Sequence, residues 1–196
     1  MPNVSGRAIW ARADFVRERF GAEGWHKVEA RLPAHLRSVL ARPVDAGGWY
    51  PMDFYAQLQR AVVEAFGDGN VWGLLEELGA FAAERHAQAM EGPPGRDPFD
   101  FFKHLARLHR QTFDFGLTTV VRRPGGCMIE IDYEGHASEL ICASAIGFYR
   151  RCAEMNGART VRVEVKGCQT RGDATCLFQV QWRKLRRTIL PSTGPR

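Results

Sequence analysis

Apolar and polar positions along the first two thirds of the chain repeat with a helical period. Ile9, Trp10, Phe15 and Phe20 form a loose apolar stripe through Ala8 to Phe20, and Gly21 ends it. From Trp25 to Leu40 the stripe resumes with Val28, Leu32, Leu36, Val39 and Leu40, and Pro33 predicts a break within it. The run Gly47-Gly-Trp-Tyr-Pro51 reads as a turn that feeds a helix over 52–66, where Phe54, Leu58, Val62 and Phe66 share one face and Gly67 supplies the stop. A further helix is expected from about Val71 to Met90. After the Gly92-Pro-Pro-Gly-Arg-Asp97 linker, Asp97 is placed to cap a helix that has Pro98 in its first turn and reaches Thr112.

Beyond Gly116 the period shortens. Leu117 to Arg123 and Cys127 to Tyr133 are rich in β-branched residues and flank Pro124-Gly-Gly126, which predicts a hairpin. A helix from His136 to Met155 ends at Asn156-Gly157, and a second hairpin closes the chain. In it Val161, Val163 and Val165 face Phe178, Val180 and Trp182 across a turn at Arg171-Gly172-Asp173. Helices followed by hairpin, helix and hairpin predict an α+β fold, with a four-stranded antiparallel sheet covered by helices. We expect one unit over 1–182, mainly helical to residue 115 and sheet plus helix from 116, and a basic tail over 183–196.

With 196 residues and 45% hydrophobic content the chain can bury one good core. Arg183, Lys184, Arg186, Arg187 and Arg196 carry five positive charges with no acid among them, so the formal charge of +5 resides in the tail. Such a cluster can meet nucleic acid or an anionic surface. We favour a solvated end, because aromatic interleaving and any DNA-binding motif are missing. No apolar run approaches the length of a membrane span and no leader pattern opens the chain, which suggests a cytoplasmic protein. Five cysteines fit a reducing compartment better than a disulfide framework.

The sequence around the second hairpin carries most of the chemistry. Cys168 and Cys176 stand at its two rims, and a turn centred on Gly172 puts them opposite each other, able to share a metal, oxidise, or fill space. The stretch Glu164 to Trp182, with an acidic residue, a cysteine, a Gly-Asp turn and a second cysteine before a strand ending in Trp, resembles the end of the V4R (4-vinyl reductase) family. The whole chain, with Gly6-Arg-Ala-Ile and Gly48-Trp-Tyr-Pro51, also resembles a family known mainly from myxobacteria. The V4R resemblance implies a sensory or scaffold role, a homodimer, and a fold shared with haem nitric-oxide-binding proteins and vesicle-tethering subunits. It also implies a zinc set of Cys142, Cys168, Cys176 and a glutamate. Here Glu164 lies one position off the expected place, where a strand turns a side chain to its other face unless a bulge at Gly167 intervenes. We read the cysteines first as small buried hydrophobes and second as zinc ligands.

His104, with His109 nearby and His86 on the preceding helix, offers an axial ligand for haem iron. The Tyr-x-Ser-x-Arg motif that grips haem propionates in the nitric-oxide-binding relatives has no counterpart, so haem is not expected. Glu130, Asp132 and Glu134 alternate as a solvated strand face does, and no Gly-x-Gly-x-x-Gly, phosphate loop or Gly-x-Ser-x-Gly supports catalysis. The sequence therefore points to a non-enzymatic module that binds a small apolar ligand or a partner protein. Phe101, Phe102, Phe113, Phe148 and Tyr149 are the candidate lining of its pocket, and Trp49 and Tyr50 stand near the mouth.

Overall fold

The computed structural model describes residues 1–88 and 97–184. Strand β1 (Asn3–Ser5) leads into α1 (Gly6–Glu29) and α2 (Ala34–Leu40), and β2 (Trp49–Pro51) leads into α3 (Met52–Phe66) and α4 (Val71–Gln88). Two short helices, α5 (Pro98–Phe102) and α6 (Leu105–Thr112), precede the hairpin β3 (Leu117–Arg123) and β4 (Gly126–Asp132). Helix α7 (Glu139–Met155) then runs to β5 (Ala158–Gly167) and β6 (Cys176–Lys184). The architecture is α+β, with a four-stranded antiparallel sheet in the order β3-β4-β6-β5.

Sequence chemistry accounts for most boundaries. Asp97 accepts a hydrogen bond from the Phe99 N–H at 3.0 Å, which satisfies one of the unpaired donors of the first turn of α5, and Pro98 follows at a position that has no use for an amide proton. Gly21, at φ 70°, takes the one non-helical conformation inside α1 and divides it where the stripe breaks. Asn156 and Gly157 end α7, with Gly157 at φ 85°.

Four expectations are corrected. The predicted helix over 98–112 is two helices, joined where His104 N–H bonds to the Phe101 carbonyl in a tighter turn. Trp49–Pro51 is a strand, because Val4 and Tyr50 pair across a two-stranded antiparallel ribbon with β1. Helix α7 begins at Glu139, since His136 N–H is held by the Tyr133 carbonyl in a turn. Of the tail assigned to 183–196, Arg183 and Lys184 belong to β6, and the remainder lies outside the described residues, as do Ala89 and Met90 at the end of the helix expected after Val71.

Buried residues of helices and sheet form one hydrophobic cluster. Strand alternation assigns Ile129, Phe178 and Val180 to the inner face, all with no exposure, and α7 packs against β5 and β6 on that side. Phe102 is fully buried and stacks on Trp182, with centroids 5.8 Å apart, so α5 is pinned to the sheet. Burial of such a side chain is worth roughly 1.5–3 kcal/mol. Helix α4 lies along α7, and its other neighbours are α1 and α3. Helix α6 instead packs on β3 and β1. Among the described residues no helix is long and apolar enough to cross a membrane.

Candidate functional site

Where α4 and α7 on one side part from α6 and the inner face of β3 and β4 on the other, they leave a cavity of about 90 Å³. Cofactor and small-molecule pockets span about 300–1,000 Å³, so these walls would have to part to admit a group of that size. Along α4 the cavity stripe is Gly79, Ala82 and His86, of which Gly79 lies against the Ser144 backbone of α7. Facing it are Ile141, Ala145 and Phe148 of α7, with Leu105 and Leu108 of α6 and Ile131 of β4.

Set in these apolar walls are a few polar groups. His109, on α6, is 6% exposed, and its Nε2 lies 2.9 Å from the Phe115 carbonyl, which fixes Nε2 as the protonated nitrogen and leaves the lone pair on Nδ1. Burial lowers its proton affinity, partly opposed by that hydrogen bond. The close approach of Phe115 depends on Gly116, at φ 78°: a Cβ there would stand 3.2 Å from the imidazole nitrogen and 2.5 Å from the Asp132 carbonyl. His86, on α4, is edge-on to Phe148 with centroids 5.7 Å apart. Burial, and then the charges of Arg12 and Arg7, lower its pKa to about 4. Both imidazoles are therefore neutral at pH 7.

Arg12 is the sharpest electrostatic feature. It is 6% exposed, its guanidinium carbon lies 4.5 Å above the Tyr55 ring, and its Nε has no hydrogen-bond partner. Among the described residues no carboxylate forms an ion pair with it. A cation removed from water without a counter-charge costs several kcal/mol, and burial accordingly lowers its pKa. The Thr118 hydroxyl, also on the cavity wall, is likewise buried without a partner. Tyr133 and Tyr149 are held as neutral phenols by burial. The cavity thus presents positive potential, two lone-pair nitrogens and no acid.

Of the residues expected to line a pocket, Phe113, Phe148 and Tyr149 do so. Phe101 instead lines a shallow groove with His104 and Leu108, and Phe102 is core. His104 is exposed at the junction of α5 and α6, and the helix presents His109 to the cavity in its place. Trp49 and Tyr50 belong to the β1–β2 ribbon, where the Tyr50 hydroxyl accepts from the Asp45 amide. Arg12 went unnoticed in the sequence, although Ala8, Ile9, Phe15 and Val16 set an apolar period that places it on the buried face.

The cysteines form a second cluster. Cys142 on α7 lies 3.5 Å (Sγ–Sγ) from Cys176 and 3.9 Å from Cys168, all buried. The Gln169 amide donates to the Cys176 sulfur, the Cys168 sulfur lies 2.9 Å from the Thr170 hydroxyl, and the contact with Cys142 holds the Cys176 thiol down at about 6. Glu164 is excluded. A register shift does occur between Val165 and Gly167, but it follows Glu164, which pairs with Gln179 on the outer face and forms ion pairs with Lys166 and Arg162. The described residues therefore offer three sulfurs and no carboxylate.

No family model matches the chain and no curated protein is similar to it. Solved structures of H-NOX proteins are similar in fold. One from S. oneidensis in the Fe(II)NO ligation state is 12% identical, with a TM-score of 0.66 over 92% of this chain and 99% of that one. An Fe(II) unliganded H-NOX mutant from K. algicida is 13% identical, with a TM-score of 0.68 over 92% and 97%. An oxygen-binding H-NOX domain related to soluble guanylate cyclases, in its oxygen complex, is 16% identical, with a TM-score of 0.63 over 92% and 95%. The V4R resemblance is thereby overturned, since the similar structures are H-NOX domains. They are iron proteins, and a further H-NOX structure probes distortion of the haem in that family, so the expectation against haem falls too and zinc finds no support among them.

Proposed function

We propose that this chain is a non-enzymatic sensory module that carries haem in the central cavity and passes the state of that site to a partner protein. The observation that carries this reading is a buried guanidinium, bonded to the Tyr55 side chain but without a carboxylate partner among the described residues, and two neutral imidazoles on the walls of an otherwise apolar cavity. Each feature answers a need of the group. Haem iron takes an imidazole as axial ligand, and the carbonyl hydrogen bond that orients His109 is the arrangement that holds metal-ligating histidines in one tautomer. The porphyrin carboxylates need a cation, and Arg12 needs an anion. Arg12 would serve here in place of the missing Tyr-x-Ser-x-Arg motif. Phe148, Ile141 and Leu108 would exclude water from the ring faces.

When bound, haem supplies an iron coordination position at which a diatomic gas is recognised. The fold neighbours in their NO and oxygen complexes support that choice of ligand. The residues of this chain that would hold the ring are His109, by its Nδ1 lone pair, Arg12, by charge, and the apolar walls, by exclusion of water.

Titration of the purified protein with haem under reducing conditions tests this reading. A Soret band saturating at one equivalent and surviving gel filtration is expected, with affinity lowered at least tenfold in Arg12→Leu, or about 1.4 kcal/mol. A spectrum identical to free haem overturns the proposal.

A further inference from the structure

Helix α1 packs on α3 and α4 and carries Arg12 inward to the cavity wall, over the Tyr55 ring of α3. The Tyr55 side chain takes one hydrogen bond from the guanidinium, and Nε is buried without a partner. Thr118, on the β3 wall of the same cavity, is 8% exposed, and its hydroxyl also lacks a partner. Arg12 is the one permanently charged residue in the described lining, which holds no Asp or Glu. A guanidinium presents paired N–H donors in a plane, the geometry that a carboxylate matches. Taken out of water, it is stabilised most by an anion that brings both charge and acceptors.

Size and wall chemistry narrow the choice of anion. With its walls as they stand, a cavity of about 90 Å³ holds several waters, or an organic ion of about four to six heavy atoms. Ala8, Ala82, Leu105, Leu108 and Ile131 supply apolar surface that a short alkyl group can cover and a small inorganic anion cannot. A dianion such as sulfate would bring a second charge to a lining that has one cation.

We propose that the cavity is a binding site for a short monocarboxylate of about two to four carbons. Its carboxylate lies on the Arg12 guanidinium, its alkyl end lies on the apolar walls, and the Thr118 hydroxyl is the further donor the site offers. This inference does not rest on the haem reading, since the carboxylate needs no parting of the walls. Arg12 serves one anion at a time, so a bound carboxylate competes with haem for the same cation.

Isothermal titration calorimetry of the full-length protein, before haem is added and in a carboxylate-free buffer at constant ionic strength, tests the proposal. Propionate and butyrate are expected to bind at one site. Propionamide, which keeps the shape and lacks the charge, and nitrate, which keeps the charge and lacks the alkyl group, should each bind at least tenfold more weakly than propionate. Hexanoate should bind at least tenfold more weakly than butyrate. Arg12→Met, shown to be folded by circular dichroism, should lose at least tenfold in propionate affinity. Propionate binding that propionamide equals, that Arg12→Met retains, or that is absent at millimolar concentration overturns the proposal, as does affinity that rises steadily to hexanoate. The comparison of propionate with propionamide uses the wild-type chain alone and holds even if Arg12→Met fails to fold. None of these readings involves haem, whose failure to bind would show only in the Soret titration.

Discussion

Helices α4 and α7 approach closely beside the cavity, and that approach can be broken by one methyl group. Gly147 of α7 lies against the Glu76 backbone, and Gly79 of α4 lies against the Ser144 backbone. A Cβ added at either would fall within 3.0 Å of a carbonyl oxygen, a separation real Cβ atoms essentially never show. The obstacle is helix backbone, so relief requires the helices to part. Overpacking of this kind costs about 1–3 kcal/mol, and occasionally more. Alanine recovers up to about 1 kcal/mol of helix propensity. With helix backbone as the obstacle the cost lies at the upper end, so we expect Gly147→Ala to destabilise by about 2 kcal/mol net, and at roughly 2–4 °C per kcal/mol for a chain of this size Tm falls by about 4–8 °C. Gly157→Ala is the control: its φ is 85° with nothing within 4 Å, so it carries only the left-handed penalty of roughly 1–2 kcal/mol. In the double variant Gly79→Ala/Gly147→Ala the second substitution should cost less than the first, because both report one separation. Urea denaturation followed by circular dichroism reads all four proteins. Gly147→Ala within 0.5 kcal/mol of wild type would refute the reasoning, because surface substitutions alone vary by about that much.

Three further outcomes follow from the same geometry. Arg12→Met should stabilise the ligand-free protein by about 1–4 kcal/mol, since it removes a buried charge that lacks an ion pair, while weakening haem uptake; a loss of stability in chemical denaturation would show that Arg12 is paired in solution. His86 has its pKa lowered to about 4, so as pH falls from about 6.5 the unfolded chain takes up a proton that the folded chain refuses, and ligand-free stability declines by up to about 3 kcal/mol by pH 4. His86→Phe should flatten that slope, and an unchanged slope in denaturation across pH would assign it elsewhere. All five cysteines are buried, so maleimide labelling followed by mass spectrometry should modify fewer than one thiol natively and all five in urea; rapid native labelling of Cys176 would mean that the hairpin opens.

Periodicity alone located the helices at 52–66 and from Val71, both hairpins and the order of elements, because each buries one continuous stripe or one strand face. Strand patterning suggested that Cys168 and Cys176 meet across the turn, and their sulfurs do lie in one cluster, whereas Cys142 was tied to them only by the V4R resemblance. What was hidden depended on partners remote in sequence. Trp49–Pro51 is a strand only because Asn3–Ser5 lies beside it. The break at Lys103 and His104 is a single tighter turn that leaves the apolar spacing of Phe102, Leu105 and His109 undisturbed, so no pattern marks it. Glu164 was tied to the cysteines by nearness in sequence. The cross-strand pairing with Gln179 turns it outward before the register shift can act. Arg12 was read past as one charge among many, and its burial becomes apparent only once Ala8, Ile9 and Phe15 are seen to face inward with it.

Helix α7 joins these features into one mechanical unit. Its cavity face carries Ile141, Ala145 and Phe148, its sheet side carries Cys142 against Cys176 and Cys168, and Gly147 locks it to α4. The residues alternate around one helix, so Cys142 follows directly on Ile141 and Phe148 on Gly147. A close-packed interior does not deform smoothly. Any ligand that moved Phe148 or Ile141 would therefore have to slide α7 as a body, and that motion would be felt at the sulfur contacts and at the α4 seam together. Coupling of the cavity to the closing hairpin is thus a consequence of where α7 lies, whichever ligand occupies the space beside it.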